Sequence, residues 1–428
     1  MVALPFLAMV VALLLGVPIA VALGGSGLWG LWLVTGNLDV VIGNLGMMPY
    51  GTAANYVLSC APMFILMAYL SSSSGLAKDL YGAASGWLSN IRGGLAIATV
   101  FACAVFGAMS GSSISAAAVM SNVAMPEMRR YKYSEELAAG AIGVGATLNI
   151  LIPPSIAMVI YGLYTETSIG KLLIAGIFPG ILVGIFLVLC IAVWVRINPG
   201  HAPKAYRTTW TERYTGILRT WPSLILILII FSLLYTGIAT PTEIGAIGAA
   251  LAAVIGIAMR RLTWNGAIES FKGTIRTNAM IFPILIGANI FGNYVVYSQV
   301  PQMITETVAT MNINRWIVIA GIVIGYFVIS MFMDEIPLLL ITLQVTFPLV
   351  ISLGFDPVWF GVMSMMMISM GLVFPPVGMI AFVVSATARA NLIKVYKGTS
   401  ILMIATILAT IMIMIFPEIA LWLPSKMR

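Results

Sequence analysis

Ile150-Leu151-Ile152-Pro153-Pro154-Ser155 returns 222 residues later as Leu372-Val373-Phe374-Pro375-Pro376-Val377. Two adjacent prolines inside an apolar run remove two amide donors, so the carbonyls one turn earlier lose their helical partners. At the same offset, without a gap, Pro126 meets Pro348 and Met109 meets Met331, and Ser112-Ser113 falls opposite Asp334-Glu335. One such match between apolar runs is weak, but four proline and methionine anchors at a single offset are an internal repeat. Each half holds a polar break after a span, a hairpin-length apolar run ending near a proline, and then a double-proline break.

Charge orients the two halves. The segment Glu127 to Glu136 holds Arg129, Arg130 and Lys132, whereas its offset partner, Leu349 to Val358, holds neither lysine nor arginine. Further on the sign reverses. Ala388 to Lys397 carries Arg389, Lys394 and Lys397, while Glu166 to Ala175 carries only Lys171. Basic residues gather in cytoplasmic loops, so the halves face opposite ways across a bilayer. Inverted repeats with breaks at corresponding places mark secondary transporters, whose sites lie where the repeats meet near the midplane.

Composition fits that solvent. Of 428 residues 61% are hydrophobic and 8% charged, against about a quarter charged in soluble domains. The run Leu4 to Ala22 has no positive segment before it and reads as a retained first span. Other clear spans are Tyr56 to Leu70, Gly94 to Ala108, Leu172 to Val195, Leu224 to Ile238, Ile244 to Met259, Ile317 to Met333 and Ile401 to Phe416. The net charge of +7 is spread in short clusters between spans, which speaks against nucleic acid. Cys60, Cys103 and Cys190 sit in apolar runs without metal spacing and read as buried thiols. The single histidine, His201, lies in a polar loop, and no nucleophile–base pair suggests an enzyme.

Two polar stretches repeat a 4-3-4 apolar spacing: Trp210, Tyr214, Ile217 and Trp221 within Arg207 to Trp221, and Trp264, Ile268, Phe271 and Ile275 within Arg260 to Arg276. Each reads as an amphipathic helix in the cytoplasmic headgroup region.

The binding candidates sit at the breaks. Phe106 to Ser115 concentrates Ser110, Ser112, Ser113 and Ser115 with Gly107 and Gly111 in apolar surroundings. Hydroxyls and carbonyls freed by an unwound helix suit Na⁺, although small residues also serve close helix packing. Gly143 to Asn149 leads into Pro153-Pro154, and Ser364, Ser369 and Gly371 precede Pro375-Pro376, each offering carbonyls. Asn149, Ser155 and Thr387 are polar contacts available to a substrate. Glu243, after Thr240-Pro241-Thr242, is either a helix cap or an intramembrane functional acid. Asp334-Glu335 opens the second hairpin, as an ion attractor or a gating contact.

At these residues the sequence resembles the large membrane subunit of tripartite ATP-independent periplasmic transporters. The likeness is carried in order by Gly107-Ala108-Met109-Ser110-Gly111-Ser112-Ser113, Leu151-Ile152-Pro153-Pro154-Ser155-Ile156, Ser168-Ile169-Gly170-Lys171, Ala175-Gly176-Ile177-Phe178-Pro179-Gly180, Thr240-Pro241-Thr242-Glu243 and Pro375-Pro376-Val377-Gly378. The resemblance implies an all-α polytopic membrane protein, an elevator-type inverted repeat of the ion transporter superfamily with about eleven spans and two re-entrant hairpins. The corresponding divisions are scaffold helices over 1–92, a first transport repeat over 93–196 with hairpin 1 near 109–128, and a linker with amphipathic arms and scaffold spans over 197–314. A second transport repeat follows over 315–398 with hairpin 2 near 333–352, then a C-terminal helix over 399–428.

Carried over by motif, Ser110, Ser112, Ser113, Gly145 and Leu148 form one sodium site, and Met333, Ser369, Met370 and Gly371 lie near a second. Ser115, Asn149, Pro153, Pro154, Ser155, Asp334, Pro375, Pro376 and Thr387 are the substrate candidates. Na⁺ is the coupling ion, with no organic cofactor. The implied partners are a small four-helix membrane subunit, a periplasmic binding protein that delivers a small organic anion (a carboxylate, sugar acid or sulfonate), and membrane lipid, in a bacterial inner membrane. The alternative is a stand-alone ion-coupled exchanger of the same superfamily, which needs no binding protein. Three positions depart from the family pattern: Phe374 stands where a threonine is common, Asp334-Glu335-Ile336-Pro337 where small residues are common, and Asn149 where glycine is usual.

Overall fold

The computed structural model describes residues 3–203, 208–310 and 313–427; Arg207, at the head of the first amphipathic stretch, lies outside them. All regular elements among the described residues are helical. The chain opens with α1 (Leu4–Leu14) and α2 (Ile19–Thr35). The single first span expected over Leu4 to Ala22 is therefore corrected to two helices: Gly16 takes left-handed backbone at φ 80° and Pro18 caps the second helix. Next come α3 (Leu38–Ala53), α4 (Cys60–Ser73) and α5 (Leu76–Leu88). Hairpin 1 is α6 (Gly94–Ser110) with α7 (Ser113–Arg130), which corrects the expectation near 109–128. That range, like 333–352 for hairpin 2, holds only the second arm, and the apolar runs read as spans over Gly94 to Ala108 and Ile317 to Met333 are the first arms. Flanking Pro153-Pro154 are α8 (Glu135–Leu151) and α9 (Ile156–Thr165). The middle of the chain is α10 (Ile169–Ala175), α11 (Ile177–Ile197), α12 (Trp210–Thr236), α13 (Pro241–Ala258), α14 (Trp264–Tyr297) and α15 (Val300–Thr310). Hairpin 2 is α16 (Arg315–Ser330) with α17 (Glu335–Ser352). Flanking Pro375-Pro376 are α18 (Pro357–Gly371) and α19 (Met379–Ala388), and α20 (Leu392–Ile415) and α21 (Glu418–Leu421) close the chain.

Among the described residues eight helical stretches are long and apolar enough to cross a bilayer, two of them formed by consecutive α-helices, α8 with α9 and α10 with α11. The first arm of each hairpin, and the helices on both sides of the second double proline, are shorter. Each hairpin enters and leaves on the same side, its two ends meeting. Leu95 N, at the start of α6, donates to Tyr133 Oη just past the end of α7, at 3.4 Å. Trp316, at the start of α16, packs edge-on against Phe355 just past α17, with ring centroids 5.0 Å apart.

The two basic loops that set the orientation share a face. Arg129 donates to the Arg389 carbonyl at 3.1 Å, while Lys394 and Lys397 pair with Glu135 and Glu136 at 3.2 and 3.1 Å. Both lysines are more than half exposed, and such pairs contribute about 0–1 kcal/mol each. They report where the loops lie rather than hold them there. Hairpin 1 thus has its base on the basic face and hairpin 2 on the other. Single cysteines at Ser134 and at Asp356, with Cys60, Cys103 and Cys190 replaced, are expected to react with impermeant maleimide from opposite sides of the membrane. Labelling of both from one side would refute the inverted arrangement.

Lipid tails are as apolar as leucine, so helices associate through close packing. α2 crosses α14 where a Cβ on Gly27 would lie 2.7 Å from the Phe291 backbone. α8 crosses α20 where a Cβ on Gly140 would lie 2.6 Å from the Gly398 carbonyl carbon. The amphipathic stretches are not separate helices. They run on without a break into α12 and α14, of 27 and 34 residues; at 1.5 Å per residue the latter spans about 50 Å, more than the roughly 30 Å hydrocarbon core. Trp210, Tyr214, Trp264 and Ile275 remain exposed on their surfaces. Glu243 closes a capping box: its carboxylate accepts from Thr240 N at 2.7 Å while its own N–H donates to Thr240 Oγ1 at 3.3 Å. Of the two readings left open for Glu243, the cap is the one its contacts support.

Candidate functional site

The tip of hairpin 1 is built by a glycine and three serines. Gly111 takes φ 59°, and a Cβ there would lie 2.5 Å from the Pro154 carbonyl oxygen. Only glycine lets the tip reach the double-proline break this closely in left-handed backbone. Its carbonyl accepts from Ile156 N at 3.4 Å. Ser112 then caps α7, accepting from Ser115 N at 3.4 Å. The second tip is arranged alike. The Met331 carbonyl accepts at 3.0 Å from N–H of Gly378, the offset partner of Ile156, and Asp334 caps α17 by accepting from Glu335 N at 2.9 Å.

The two tips touch. Ser113 Oγ donates to Glu335 Oε2 at 3.5 Å, joining residues one full repeat offset apart. Ser113 is fully buried and Glu335 is 6% exposed. Ile156 and Ile160 of α9 and Ile336 and Leu340 of α17 belong to one apolar cluster.

Beside the tips lies a cavity of about 180 Å³. Hairpin 1 lines it with Ser110, Ser112 and Ser115, and hairpin 2 with Asp334, Glu335 and Ile336. The opposite wall is Ala68 and Tyr69 of α4 with Thr277 and Met280 of α14. Tyr69 Oη and Thr277 Oγ1 are 3.1 Å apart. Tyr69 also borders a second cavity of about 420 Å³ lined by Ser73, Lys272 and Arg276, placing its ring between the tips and the basic arm of α14. Neither Tyr69 nor Thr277 carries a signal in the sequence, since both lie mid-helix without a break or a motif.

Of the residues assigned to the first ion site, Ser110 and Ser112 reach the cavity, while Ser113 faces Glu335. Gly145 packs on Cys103 and Val100, about two turns before Ser110 on α6. The Leu148 carbonyl accepts from Ile152 N at 2.9 Å. The residue of α8 that meets the serines is Asn149: its Nδ2 donates to Ser110 Oγ at 3.1 Å and to the Ser112 carbonyl at 3.4 Å. Its Oδ1 is buried without a partner, against Gly107. Among the substrate candidates Ser115 and Asp334 line the cavity. Pro154 abuts Gly111 next to Pro153, and Ser155 caps α9 by accepting from Met158 N at 3.4 Å. Pro375, Pro376 and Thr387 do not line it. Tyr396 donates to the Pro376 carbonyl at 3.0 Å, and Thr387 sits in the last turn of α19 near the basic face.

Around the second break, Gly371 lies against Ser330 Oγ and the Phe327 carbonyl, with no room for a side chain between them. Ser330 Oγ donates to the Phe327 carbonyl at 2.8 Å, and the Met367 carbonyl is 3.4 Å away. Ser369 donates to the Met366 carbonyl at 2.6 Å beside Met370, and Met333 is half-buried at the tip. The Phe374 ring packs tilted against Phe327, with centroids 5.5 Å apart. Ser330 brings a buried hydroxyl beside Gly371, which the sequence reading missed because its offset partner, Ala108, is not polar.

Comparison with known proteins accounts for this architecture. The chain is 32% identical over 99% of its length, and 97% of the relative's, to the C4-dicarboxylate TRAP transporter large permease protein DctM of Vibrio cholerae. It is 30% identical to the ectoine TRAP transporter large permease protein TeaC of Halomonas elongata over 97% of each chain. It is also 30% identical to the sialic acid TRAP transporter large permease protein SiaM of Vibrio cholerae over 88% of each. Among solved structures, the YdaH transporter of Alcanivorax borkumensis matches with a TM-score of 0.67 over 90% of each chain at 15% identity, a likeness of fold alone. Residues 6–419 match the family model described as the tripartite ATP-independent periplasmic transporter, DctM component, and the chain belongs to that family as a large membrane subunit of a transporter.

Proposed function

We propose that this subunit imports a small organic acid across the bacterial inner membrane by sodium-coupled alternating access of the elevator type. The observation that carries the reading is the cavity where the two inverted tips meet, which sets three serines and the Asp334–Glu335 pair in an otherwise apolar lining and is walled on its far side by α4 and α14. A cavity shared between two bodies of an inverted repeat is where moving one body against the other exchanges the side of access.

Sodium suits the oxygens gathered there. Ser110 Oγ, the Ser112 carbonyl and the unpartnered Asn149 Oδ1 lie within one hydrogen-bonded group, and a hard cation satisfies such an orphaned buried oxygen. At the second break the candidates are Ser330, the Phe327 carbonyl and the backbone at Gly371. Met333 and Met370 bring thioethers, which are poor partners for Na⁺, so their contribution there is through backbone. Relatives named for C4-dicarboxylate, sialic acid, ectoine and isethionate support a carboxylate, sugar-acid or sulfonate class of substrate. A periplasmic binding protein delivers that substrate, and a small four-helix subunit accompanies this chain in the membrane.

The test is uptake into proteoliposomes with and without each component. Uptake is expected only with an inward sodium gradient, the small subunit and the binding protein together. Full sodium-driven uptake by this chain alone would replace the reading with a stand-alone exchanger.

A further inference from the structure

The cavity at the tips is bipolar, and its polarity comes from the one place where the two repeats differ most. On one side α7 begins with Ser112, Ser113 and Ser115 and has no acid in its first turn. On the other, at the matching offset, α17 begins with Asp334 and Glu335. A helix N-terminus carries a partial positive charge and open N–H groups, which favour an anion. At α17 that preference is offset by two carboxyl groups, one capping the backbone and the other 6% exposed. Among the described residues no lysine, arginine or histidine lines this cavity. A dianion placed here would face the acid pair across a low-dielectric space with a single sodium ion, the one proposed beside Ser110 and Ser112, as its countercharge, whereas a zwitterion brings its own cation to the acids. The oxygens around Gly371, Ser330 and Phe327 belong to no cavity-lining residue, so an ion held there does not occupy the same space as a ligand beside Asp334 and Glu335.

We infer that the transported molecule is a zwitterion, with a carboxylate held at the serine-lined start of α7 and an ammonium or amidinium group held by Asp334 and Glu335. This deepens the transport reading and rests on it for the site, but its test needs no transport. A single cysteine at Ala68, which lines the cavity, is alkylated in the membrane-embedded chain with Cys60, Cys103 and Cys190 replaced by alanine. Two five-carbon probes of matched length are compared at saturating sodium: 5-aminovalerate, with one ammonium and one carboxylate, and glutarate, with two carboxylates. 5-Aminovalerate is expected to slow alkylation at least about fivefold and glutarate less than about twofold. Glu335→Gln is expected to abolish protection by 5-aminovalerate while leaving that by glutarate unchanged or improved. Equal protection by both probes, protection by neither, or a Glu335→Gln effect confined to the sodium requirement would overturn the inference. Absence of sodium-driven uptake with the probe preference intact would instead refute the coupling and leave the charge match standing.

Discussion

Gly398→Leu is expected to yield no folded protein, and Gly398→Ala to lower stability by about 1–2 kcal/mol. A Cβ on Gly398 would run into the Glu136 carbonyl and lie 3.1 Å from Gly140 N of α8, so an added carbon meets backbone on a neighbouring helix. Backbone cannot rotate away as a flexible side chain does, and overpacking of this kind costs about 1–3 kcal/mol. Alanine recovers part of that, since glycine in a helix interior is worse than alanine by about 0.5–1 kcal/mol. Leucine recovers no more and needs several times the space. Parting α8 from α20 also pulls on what flanks the crossing. Lys397 pairs with Glu136 at 3.1 Å, and Thr399 Oγ1 donates at 2.9 Å to the Val373 carbonyl, just before the second double proline. Gly184 is the control, because nothing lies within 4 Å of a Cβ there, and Gly184→Ala is expected to be neutral or slightly stabilising. Thermal unfolding of the detergent-purified chain, with size-exclusion profiles, reads both effects. A monodisperse Gly398→Leu protein with an unshifted midpoint would refute the backbone-to-backbone crossing.

What the sequence displayed and what it hid divide along a physical line. Proline pairs, left-handed glycines and clustered charge are local signals, and they located both double-proline breaks, both tips and the relative orientation of the halves. The offset pairing Ser113 with Glu335 marked equivalent positions, yet their contact is a property of the assembled repeats that no local pattern carries. Tyr69 and Thr277 are ordinary helix residues that matter through packing alone. The arms of α12 and α14 show amphipathic periodicity, but periodicity does not reveal that each helix continues into the following span. Leu4 to Ala22 shows the converse: its apolar character was plain, and the turn at Gly16 and Pro18 outweighed it. Asn149 was visible as a departure from glycine, although its bonds to Ser110 and Ser112 place it beside the serines rather than free for a substrate.

Ser110→Ala is expected to raise the sodium concentration that half-saturates uptake by about 5- to 150-fold, while Ser113→Ala changes it by less than about twofold. The family resemblance makes both serines ion ligands, but their surroundings differ. Ser110 lines the cavity and shares the Asn149 amide with the Ser112 carbonyl, next to the one unpartnered oxygen of that group. Ser113 is fully buried, and its hydroxyl is committed to Glu335 at 3.5 Å. Removing a buried oxygen that no water replaces costs about 1–3 kcal/mol, which is the fold-change expected for Ser110. Removing Ser113 instead leaves the Glu335 carboxyl without its donor, so the effect belongs to the acid pair and falls on the substrate KM. A double-mutant cycle separates the routes, because residues in contact couple and distant ones add. In a Glu335→Gln background, Ser113→Ala is expected to be nearly silent, whereas Ser110→Ala keeps its full sodium shift. Sodium titrations of uptake at fixed binding-protein concentration supply all four corners of the cycle. Equal sodium shifts for the two serines would return Ser113 to the ion, and an unshifted titration in Ser110→Ala would remove the ion from this tip altogether.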